Sequence, residues 1–203
     1  MTVSAARTLD DHLAASRRGL SELMAELGRL ERWGADLRLR LERGARLLVA
    51  GNGGSAALAH HVAGELVGRF DRERIPYSAL ALSADPAAVT AIGNDYGYDE
   101  VFARQVHAHS RRGDVLLLLS TSGRSPNLLQ AAAVARPKGV VTYAMTGPAP
   151  NPLADVADDV LAVPCPDTPS VQDVQQVAVH LLCLAFENAA GRSPSPTAPT
   201  PRR

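Results

Sequence analysis

The chain has 203 residues, of which 46% are hydrophobic, and its 21 basic and 21 acidic residues give a formal net charge of zero. This composition is typical of a globular protein with a packed core, and a neutral chain has no global field that would recruit nucleic acid or an anionic membrane. With only Cys165 and Cys183, no charged-then-apolar leader and no long apolar span, the sequence predicts a cytoplasmic protein whose cysteines fill the core.

The first element is a helical region from about Thr8 to Glu42, within a helical segment that we place at residues 1–43. Apolar residues recur there every three or four positions, at Leu20, Leu23, Met24, Leu27, Leu30, Trp33 and Leu37. A long amphipathic helix that precedes the first strand needs another apolar surface. We expect that surface to be a neighbouring subunit, and the alternative is packing on its own domain.

From residue 44 to residue 191, short apolar runs alternate with helical stretches. Strands are predicted near 46–50, 78–82, 115–119, 140–145 and 160–164, and a last helix near 171–189. This alternation predicts an α/β fold, a doubly wound parallel sheet that brings the loops after its strands to one edge, where ligands bind. Residues 192–203 are rich in Pro, Ser and Thr and predict a flexible tail.

The loop after the first strand reads Gly51-Asn52-Gly53-Gly54-Ser55 and runs into an Ala-rich helix. Glycines allow the backbone to approach a phosphate closely, so the loop predicts phosphate binding. The alternative is a dinucleotide fingerprint, Gly51-x-Gly53-x-x-Ala56, for a nicotinamide-dependent oxidoreductase. That alternative lacks a clear acidic residue after the next strand, where Asp85 is the nearest candidate.

A second polar loop follows the apolar run 115–119 and reads Ser120-Thr121-Ser122-Gly123-Arg124-Ser125-Pro126-Asn127. Ser125 is suited to cap the next helix and Pro126 to its first position. Backbone N–H groups and hydroxyls would then surround one point, which suits a phosphate monoester. Two such loops in one sheet indicate one shared ligand.

Acid–base residues occur on two helices. His61 and Glu65 share one face after the first loop, and Gln172, Gln176 and His180 form a stripe on the last helix. His61, Glu65, Gln172 and His180 could together bind a first-row metal such as zinc. The alternatives are a surface His–Glu pair and a glutamine stripe at a subunit interface.

A third polar segment, Gly93-Asn94-Asp95-Tyr96-Gly97-Tyr98, separates the second and third strands. Its residues are common loop formers. Asn94 and Asp95 could also hydrogen-bond a polyol chain, and the residue types alone leave both interpretations open.

Four segments together resemble the sugar isomerase (SIS) domain proteins of the phosphoheptose isomerase family. They are GNGGSAALAHHVAGELVGRF at 51–70, AIGNDYGY at 91–98, GDVLLLLSTSGRSPN at 113–127 and TPSVQDVQQVAVHLLC at 168–183. The resemblance implies a three-layer, flavodoxin-like sheet of five parallel strands. It also implies a homotetramer with N-terminal helices bundled at its centre and active sites built from adjacent subunits.

The resemblance further implies a reaction, the conversion of sedoheptulose 7-phosphate to D-glycero-D-manno-heptose 7-phosphate through a cis-enediol, at the start of heptose nucleotide-sugar biosynthesis. Glu65 would be the general base and His180 its partner acid/base. One zinc per subunit would be held by His61, Glu65, Gln172 and His180. Substrate would be bound by Glu65 and Gln172 together with Asn52, Gly53, Gly54, Ser55, Asn94, Asp95, Ser120, Thr121, Ser122 and Ser125.

Several positions depart from the family pattern. Leu58 stands where members often carry Asp, Ser170 where Arg is common, and Pro169 where some members have an acidic residue. They bear on substrate identity and interface detail more than on the proposed base. Some SIS proteins are non-catalytic and associate with a replication initiator or sense sugar phosphates, and this is the alternative function.

Overall fold

A computed structural model of the chain describes residues 8–189. The helices of this part are α1 (Leu9–Leu23), α2 (Leu27–Glu42), α3 (Gly54–Val67), α4 (Pro86–Tyr96), α5 (Ala103–His109), α6 (Pro126–Ala135), α7 (Pro152–Val156) and α8 (Thr168–Asn188). The strands are β1 (Leu47–Gly51), β2 (Ala79–Ala81), β3 (Val115–Ser120), β4 (Val141–Thr146) and β5 (Asp159–Ala162). Short 3₁₀ turns occupy Met24–Glu26, Tyr98–Glu100 and Arg136–Lys138. The tail predicted at 192–203 lies outside the described residues.

The strands form one sheet in the order β2-β1-β3-β4-β5, and every pair is parallel. The predicted α/β fold with a doubly wound, flavodoxin-like parallel sheet is therefore confirmed. The strand order reverses direction between β1 and β3, and ligands of such sheets bind at this switch point. Gly51 pairs with Leu119, so the two strands end side by side and both polar loops leave the sheet together.

The central strands β1 and β3 are buried on both faces because helices cover the sheet from both sides, whereas Leu80 of the edge strand β2 is 38% exposed. Leu47 and Val49 of β1 join a core with α1, α2, α3 and α8, whereas Leu48 and Ala50 join a second core with α5 and α6. Side chains of a strand point alternately to opposite faces, which explains why these strands are continuous apolar runs in the sequence.

The N-terminal segment forms two helices, whereas the sequence predicted one continuous helical region. The 3₁₀ turn at Met24–Glu26 separates α1 from α2. This tighter turn changes the phase of the helix, so that Leu23 and Leu30 are buried while Met24 is 70% exposed.

Both helices pack on α8 of the same chain, which is the alternative that the sequence left open. A Cβ at Gly34 would lie 2.6 Å from that of Ala185, so this glycine allows α2 and α8 to approach closely. Trp33 stacks on Tyr143 with a centroid distance of 4.5 Å and donates a hydrogen bond to Asp159. These contacts attach α2 to the sheet as well as to α8.

Between residues 8 and 189, none of the helices combines the length and the apolar character needed to cross a lipid bilayer.

Candidate active site

The loops after β1 and β3 enclose a cavity of about 300 Å³, which we call the phosphate cradle. The residues that line it are Asn52, Gly53, Gly54, Ser55, Leu119, Ser120, Thr121, Ser122, Ser125, Thr168 and Gln172. Three helices, α3, α6 and α8, begin at this cavity. Helix N-termini present unpaired N–H groups and partial positive charge, so the cradle can hold an anion although no Lys or Arg lines it.

The loop between β3 and α6 is held in shape by hydrogen bonds within the protein. The Gly123 N–H donates to Ser120 Oγ at 3.0 Å, and the Gly123 carbonyl accepts from the Leu153 N–H at 2.9 Å. Gly123 has a φ of +61°, and a Cβ there would lie 1.9 Å from Asn151 Oδ1. Only glycine therefore fits this position of the cradle.

Ser125 differs in one respect from the sequence prediction. It occupies the N-cap position of α6, but its side chain makes no capping hydrogen bond, and Pro126 takes the first helical position as expected. The Ser125 hydroxyl instead lies 3.5 Å from that of Ser120 and lines the cradle. Ser120 and Ser125 therefore both contribute a hydroxyl-bearing side chain to the lining of the cradle.

The two loops are joined to each other by a pair of asparagines. The amide of Asn52 donates to Asn127 at 3.0 Å, and the amide of Asn127 donates back to Asn52 at 2.9 Å. The Tyr98 hydroxyl also donates to Asn52, at 3.1 Å. Sequence reasoning did not assign a role to Asn127 or Tyr98, because nothing in their local spacing connects them to the first loop.

A second depression of about 270 Å³ adjoins the cradle, and we call it the acid–base depression. Its lining residues are Gly54, Ala57, Leu58, His61, Gln172 and Gln176. Gly54 and Gln172 line both cavities, which are therefore contiguous. A Cβ at Gly54 would lie 2.5 Å from the Gln172 amide, so the missing side chain keeps this junction narrow but open.

His61, Glu65 and His180 come together beside the acid–base depression. The Nε2 atoms of the two histidines are 2.9 Å apart, and His61 Nε2 lies 3.4 Å from Glu65 Oε1. The Glu65 side chain is 20% exposed, so its carboxylate is mostly but not fully buried. Helices α3 and α8 thus bring together residues that are more than a hundred positions apart in the chain.

Gln176 is an additional member of this group. Its amide nitrogen lies 3.1 Å from His180 Nε2, one helical turn away on α8. Gln172, which the sequence grouped with the histidines, instead lines the boundary between the two cavities. Sequence reasoning noted Gln176 in the stripe but assigned it no role, and it also missed Thr168 in the cradle.

The donor types in this group fit zinc, since imidazole nitrogen and carboxylate oxygen are among its usual ligands. Ligands of a tetrahedral zinc stand about 3.3 Å apart, close to the separations of 2.9 and 3.4 Å found here. Within residues 8–189, however, no three His, Cys, Asp or Glu side chains are already arranged around a common metal position. The side chains would have to rotate slightly to enclose an ion.

Asn94 and Asp95 are exposed residues near the end of α4, where the Asn94 amide donates to the Asp95 carboxylate at 2.8 Å. Neither is among the residues that line the two cavities. Their contact with substrate stays a prediction. Asp85, the acidic candidate for a dinucleotide site, caps α4 by accepting from the Ala87 and Ala88 N–H groups.

The residues that depart from the family pattern lie close to the site. Leu58 is 6% exposed and lines the acid–base depression, while Pro169 and Ser170 belong to the first turn of α8. Ser170 is fully buried, with its N–H donating to the capping carboxylate of Asp167 at 3.0 Å. The wall beside His61 is therefore apolar at position 58.

The fold and the two contiguous cavities define an α/β protein of the type that binds small phosphate esters at the carboxyl ends of its strands. Residues 12–147 match the family model of the SIS domain. The phosphoheptose isomerase of Streptomyces coelicolor is 58% identical over 162 residues, which are 80% of this chain and 70% of that protein. The phosphoheptose isomerase of a Bradyrhizobium strain is 43% identical over 93% of this chain and 97% of its own length.

Solved structures agree with the sequence comparison. The phosphoheptose isomerase of Neisseria gonorrhoeae superposes with a TM-score of 0.81 at 36% identity, covering 89% of this chain and 97% of that one. The enzyme of Francisella tularensis gives a TM-score of 0.83 at 33% identity, covering 89% and 96%. The chain belongs to the SIS-domain family and, within it, to the phosphoheptose isomerases.

Proposed function

We propose that the protein is an aldose–ketose isomerase that converts sedoheptulose 7-phosphate to D-glycero-D-manno-heptose 7-phosphate, the first step of heptose nucleotide-sugar biosynthesis. The observation that carries this proposal is the contiguity of the phosphate cradle and the acid–base depression through Gly54 and Gln172. A phosphate held in the cradle leaves the rest of an extended sugar chain to reach the group formed by His61, Glu65 and His180.

The reaction requires removal of a weakly acidic proton next to a carbonyl. In this mechanism the Glu65 carboxylate takes the proton from C1 of the ketose and returns it to C2, and the intermediate is a cis-enediol. His180 carries the hydroxyl proton from O1 to O2 over the same interval. Binding of the remote phosphate orients the reacting carbons and contributes transition-state stabilisation.

We further propose that His61, Glu65, Gln172 and His180 hold one zinc per subunit. The ion would act as a Lewis acid toward the substrate oxygens. The convergence of two imidazoles and a carboxylate supports this assignment.

Metal analysis of the purified protein should give about one zinc per chain. It should give much less after a His61→Ala substitution, while a His107→Ala control on the exposed end of α5 should retain it. Full zinc content in His61→Ala would contradict the assignment.

We also propose that the protein is a homotetramer with shared active sites. Helix α1 buries Ala15, Gly19 and Leu23 against its own chain but leaves Leu9 86% and Leu13 66% exposed on its opposite side. Met24 is 70% exposed at the end of the same side. An apolar stripe of this kind on a helix is typical of an oligomer interface.

The cytoplasm is the proposed location. Within residues 8–189, Cys165 and Cys183 are buried and neither is in a disulfide, which fits a reducing compartment.

The activity can be tested directly by incubating purified protein with sedoheptulose 7-phosphate and following the sugar protons by NMR. We expect appearance of the aldose anomeric signal and exchange of the transferred proton with D₂O, since Glu65 would exchange it with solvent. Absence of turnover in zinc-loaded protein that still binds the sugar phosphate would contradict the isomerase and favour the non-catalytic alternative.

A further inference from the structure

A second polar cavity lies at the opposite end of the sheet from the phosphate cradle. It has a volume of about 320 Å³, and we call it the arginine hollow. Its lining residues are Arg40, Arg43, Gly44, Ala45, Arg46, Arg111, Arg112, Gly113 and Asp114. Residues 45–46 precede β1 and residues 113–114 precede β3, so the hollow is at the amino ends of the strands that carry the cradle. At about 3.3 Å per residue, the two cavities are about 20 Å apart.

The hollow concentrates positive charge in a chain that has none overall. Five of the 21 basic residues line it, against one acidic residue, Asp114. Asp114 is only 2% exposed, and its two oxygens accept hydrogen bonds from the backbone N–H groups of Arg46 and Arg111 at 2.9 and 2.8 Å. Its carboxylate therefore joins the starts of β1 and β3 and does not pair with a guanidinium in the hollow.

Some of these arginines have a structural role. Arg40 forms an ion pair with Asp36. At the end of α5, Arg46 donates to the carbonyl of His109, and Arg111 donates to the carbonyls of Ala108 and Ser110. Cations at a helix C-terminus are favourable, so these contacts explain why two of the arginines are there.

The positions of Arg43 and Arg112 are not explained by such contacts. Both are exposed, and in the part of the chain that the structure describes neither side chain makes a hydrogen bond or an ion pair. Two unpaired guanidinium groups thus stand on one hollow beside three others. Like charges repel, and an anion bound between them would remove this repulsion.

The number of donors indicates what kind of anion fits. A guanidinium can bind a phosphate through two parallel N–H donors, so Arg43 and Arg112 together can bind two phosphoryl groups, more than one monoester provides. The volume is at the lower end of the range for small-ligand sites, which excludes a large occupant inside the hollow.

We propose that the arginine hollow binds a diphosphate group, supplied either by inorganic pyrophosphate or by a nucleoside diphosphate. The site is independent of the isomerase activity, because no residue that lines it belongs to the phosphate cradle or the acid–base depression.

Calorimetric titration of the whole protein with pyrophosphate and with ADP, at one fixed salt concentration, tests the proposal. The test variant is the double substitution Arg43→Gln and Arg112→Gln, which removes no side-chain hydrogen bond or ion pair within residues 8–189. The control is Arg32→Gln with Arg136→Gln, which removes the same charge at two exposed positions outside the hollow. All three proteins would retain any binding of pyrophosphate in the cradle, so only a difference in affinity between them reports on the hollow.

We expect the test variant to bind pyrophosphate at least about tenfold more weakly than the wild-type protein, and the control to match the wild type. Tighter binding of ADP than of pyrophosphate would identify a nucleotide as the ligand, and equal or weaker binding would identify the diphosphate alone. Equal affinities in wild type and test variant would overturn the proposal, as would an equal loss in the control, which would show only a general effect of charge.

Discussion

Glu65 is the residue on which the proposed chemistry depends most. Its Oε1 atom lies 3.4 Å from His61, and α3 presents both side chains toward α8. A carboxylate in this position can take a proton from carbon, whereas an amide of the same shape cannot.

We expect Glu65→Gln to lower kcat by at least about 10²-fold, because it removes the proposed base and leaves the side-chain volume unchanged. Binding of inorganic phosphate should change little, since Glu65 does not line the cradle. The measurement is NMR turnover of sedoheptulose 7-phosphate together with phosphate titration. Glu73→Gln, at an exposed position, is the matched control and should keep full activity. Wild-type turnover in Glu65→Gln would rule out this mechanism.

Cys183 is the nucleophilic side chain nearest to the proposed acid/base, three residues after His180 on α8. Burial, with a smaller contribution from the charge of Glu65, raises the pKa of its thiol to about 12. The thiol is therefore protonated throughout the neutral range and has no role as a nucleophile.

The prediction for Cys183 is that it does not react with DTNB in the native protein at pH 8, whereas both cysteines react after denaturation in guanidinium chloride. A raised native pKa also stabilises the fold below the pKa of the unfolded thiol, and this contribution is lost as pH rises from about 9 toward 12. Alkaline unfolding should accordingly be less steep in Cys183→Ala. Rapid labelling of one thiol in the native wild-type protein, with no such labelling in Cys183→Ala, would show that Cys183 is reactive and would contradict the prediction.

Among the elements, the loop between β3 and α6 contributes most to the shape of the site. Ser120, Gly123 and Asn151 fix its path through a hydrogen bond at 3.0 Å and through the close approach of Asn151 to the Gly123 Cα. A rigid loop keeps hydroxyl and N–H groups at the ligand position, so a phosphate binds without the cost of ordering the loop.

Gly123→Ala should disturb this element. The new methyl group would meet the buried Asn151 side chain, and a φ of +61° is itself unfavourable for alanine. We expect a loss of about 1–3 kcal/mol in the free energy of unfolding and a rise in the KM for substrate. Urea denaturation and steady-state kinetics measure these two effects. Gly64→Ala, on the open side of α3 with no atom near its Cβ, is the control and should be neutral or slightly stabilising. If the two variants were equally stable, the loop would not be under this constraint.

The same elements show what a sequence can predict. Short apolar runs predicted all five strands to within about two residues, most clearly β1 and β3, whose residues are all buried. The cradle was predictable because its two loops follow neighbouring parallel strands. The break between α1 and α2 was not, since no proline marks it and it depends on packing against α8. Thr168 and Tyr98 reach the site through contacts between distant segments, for which short-range spacing contains no signal, whereas the i, i+4 spacing of Gln176 and His180 did indicate that they lie together.

At the scale of the whole molecule, the parallel sheet separates two anion-binding surfaces. The phosphate cradle lies at the carboxyl ends of β1 and β3, where helix N-termini provide the positive potential. The arginine hollow lies at their amino ends, where guanidinium groups provide it. The chain therefore has two regions of positive potential with different origins, although its net charge is zero.

A further exposed surface is apolar, and it predicts how the chains assemble. Leu13 of α1 and Met24 of the 3₁₀ turn that follows it are both more than half exposed. Burial of such side chains between subunits stabilises the assembly by about 25 cal/mol for each Å² of apolar area removed from water. We therefore expect Leu13→Glu with Met24→Glu to convert the proposed tetramer to smaller species, as measured by size-exclusion chromatography with light scattering.

Ala14→Glu with Ala35→Glu adds the same charge at two exposed positions outside this stripe and should leave the mass unchanged. If active sites are shared between subunits, the smaller species should also lose turnover, although every proposed catalytic residue of the chain is retained. A tetramer that persists in Leu13→Glu with Met24→Glu would show that α1 does not form the interface. Full activity in a dissociated chain would instead show that each subunit carries a complete active site.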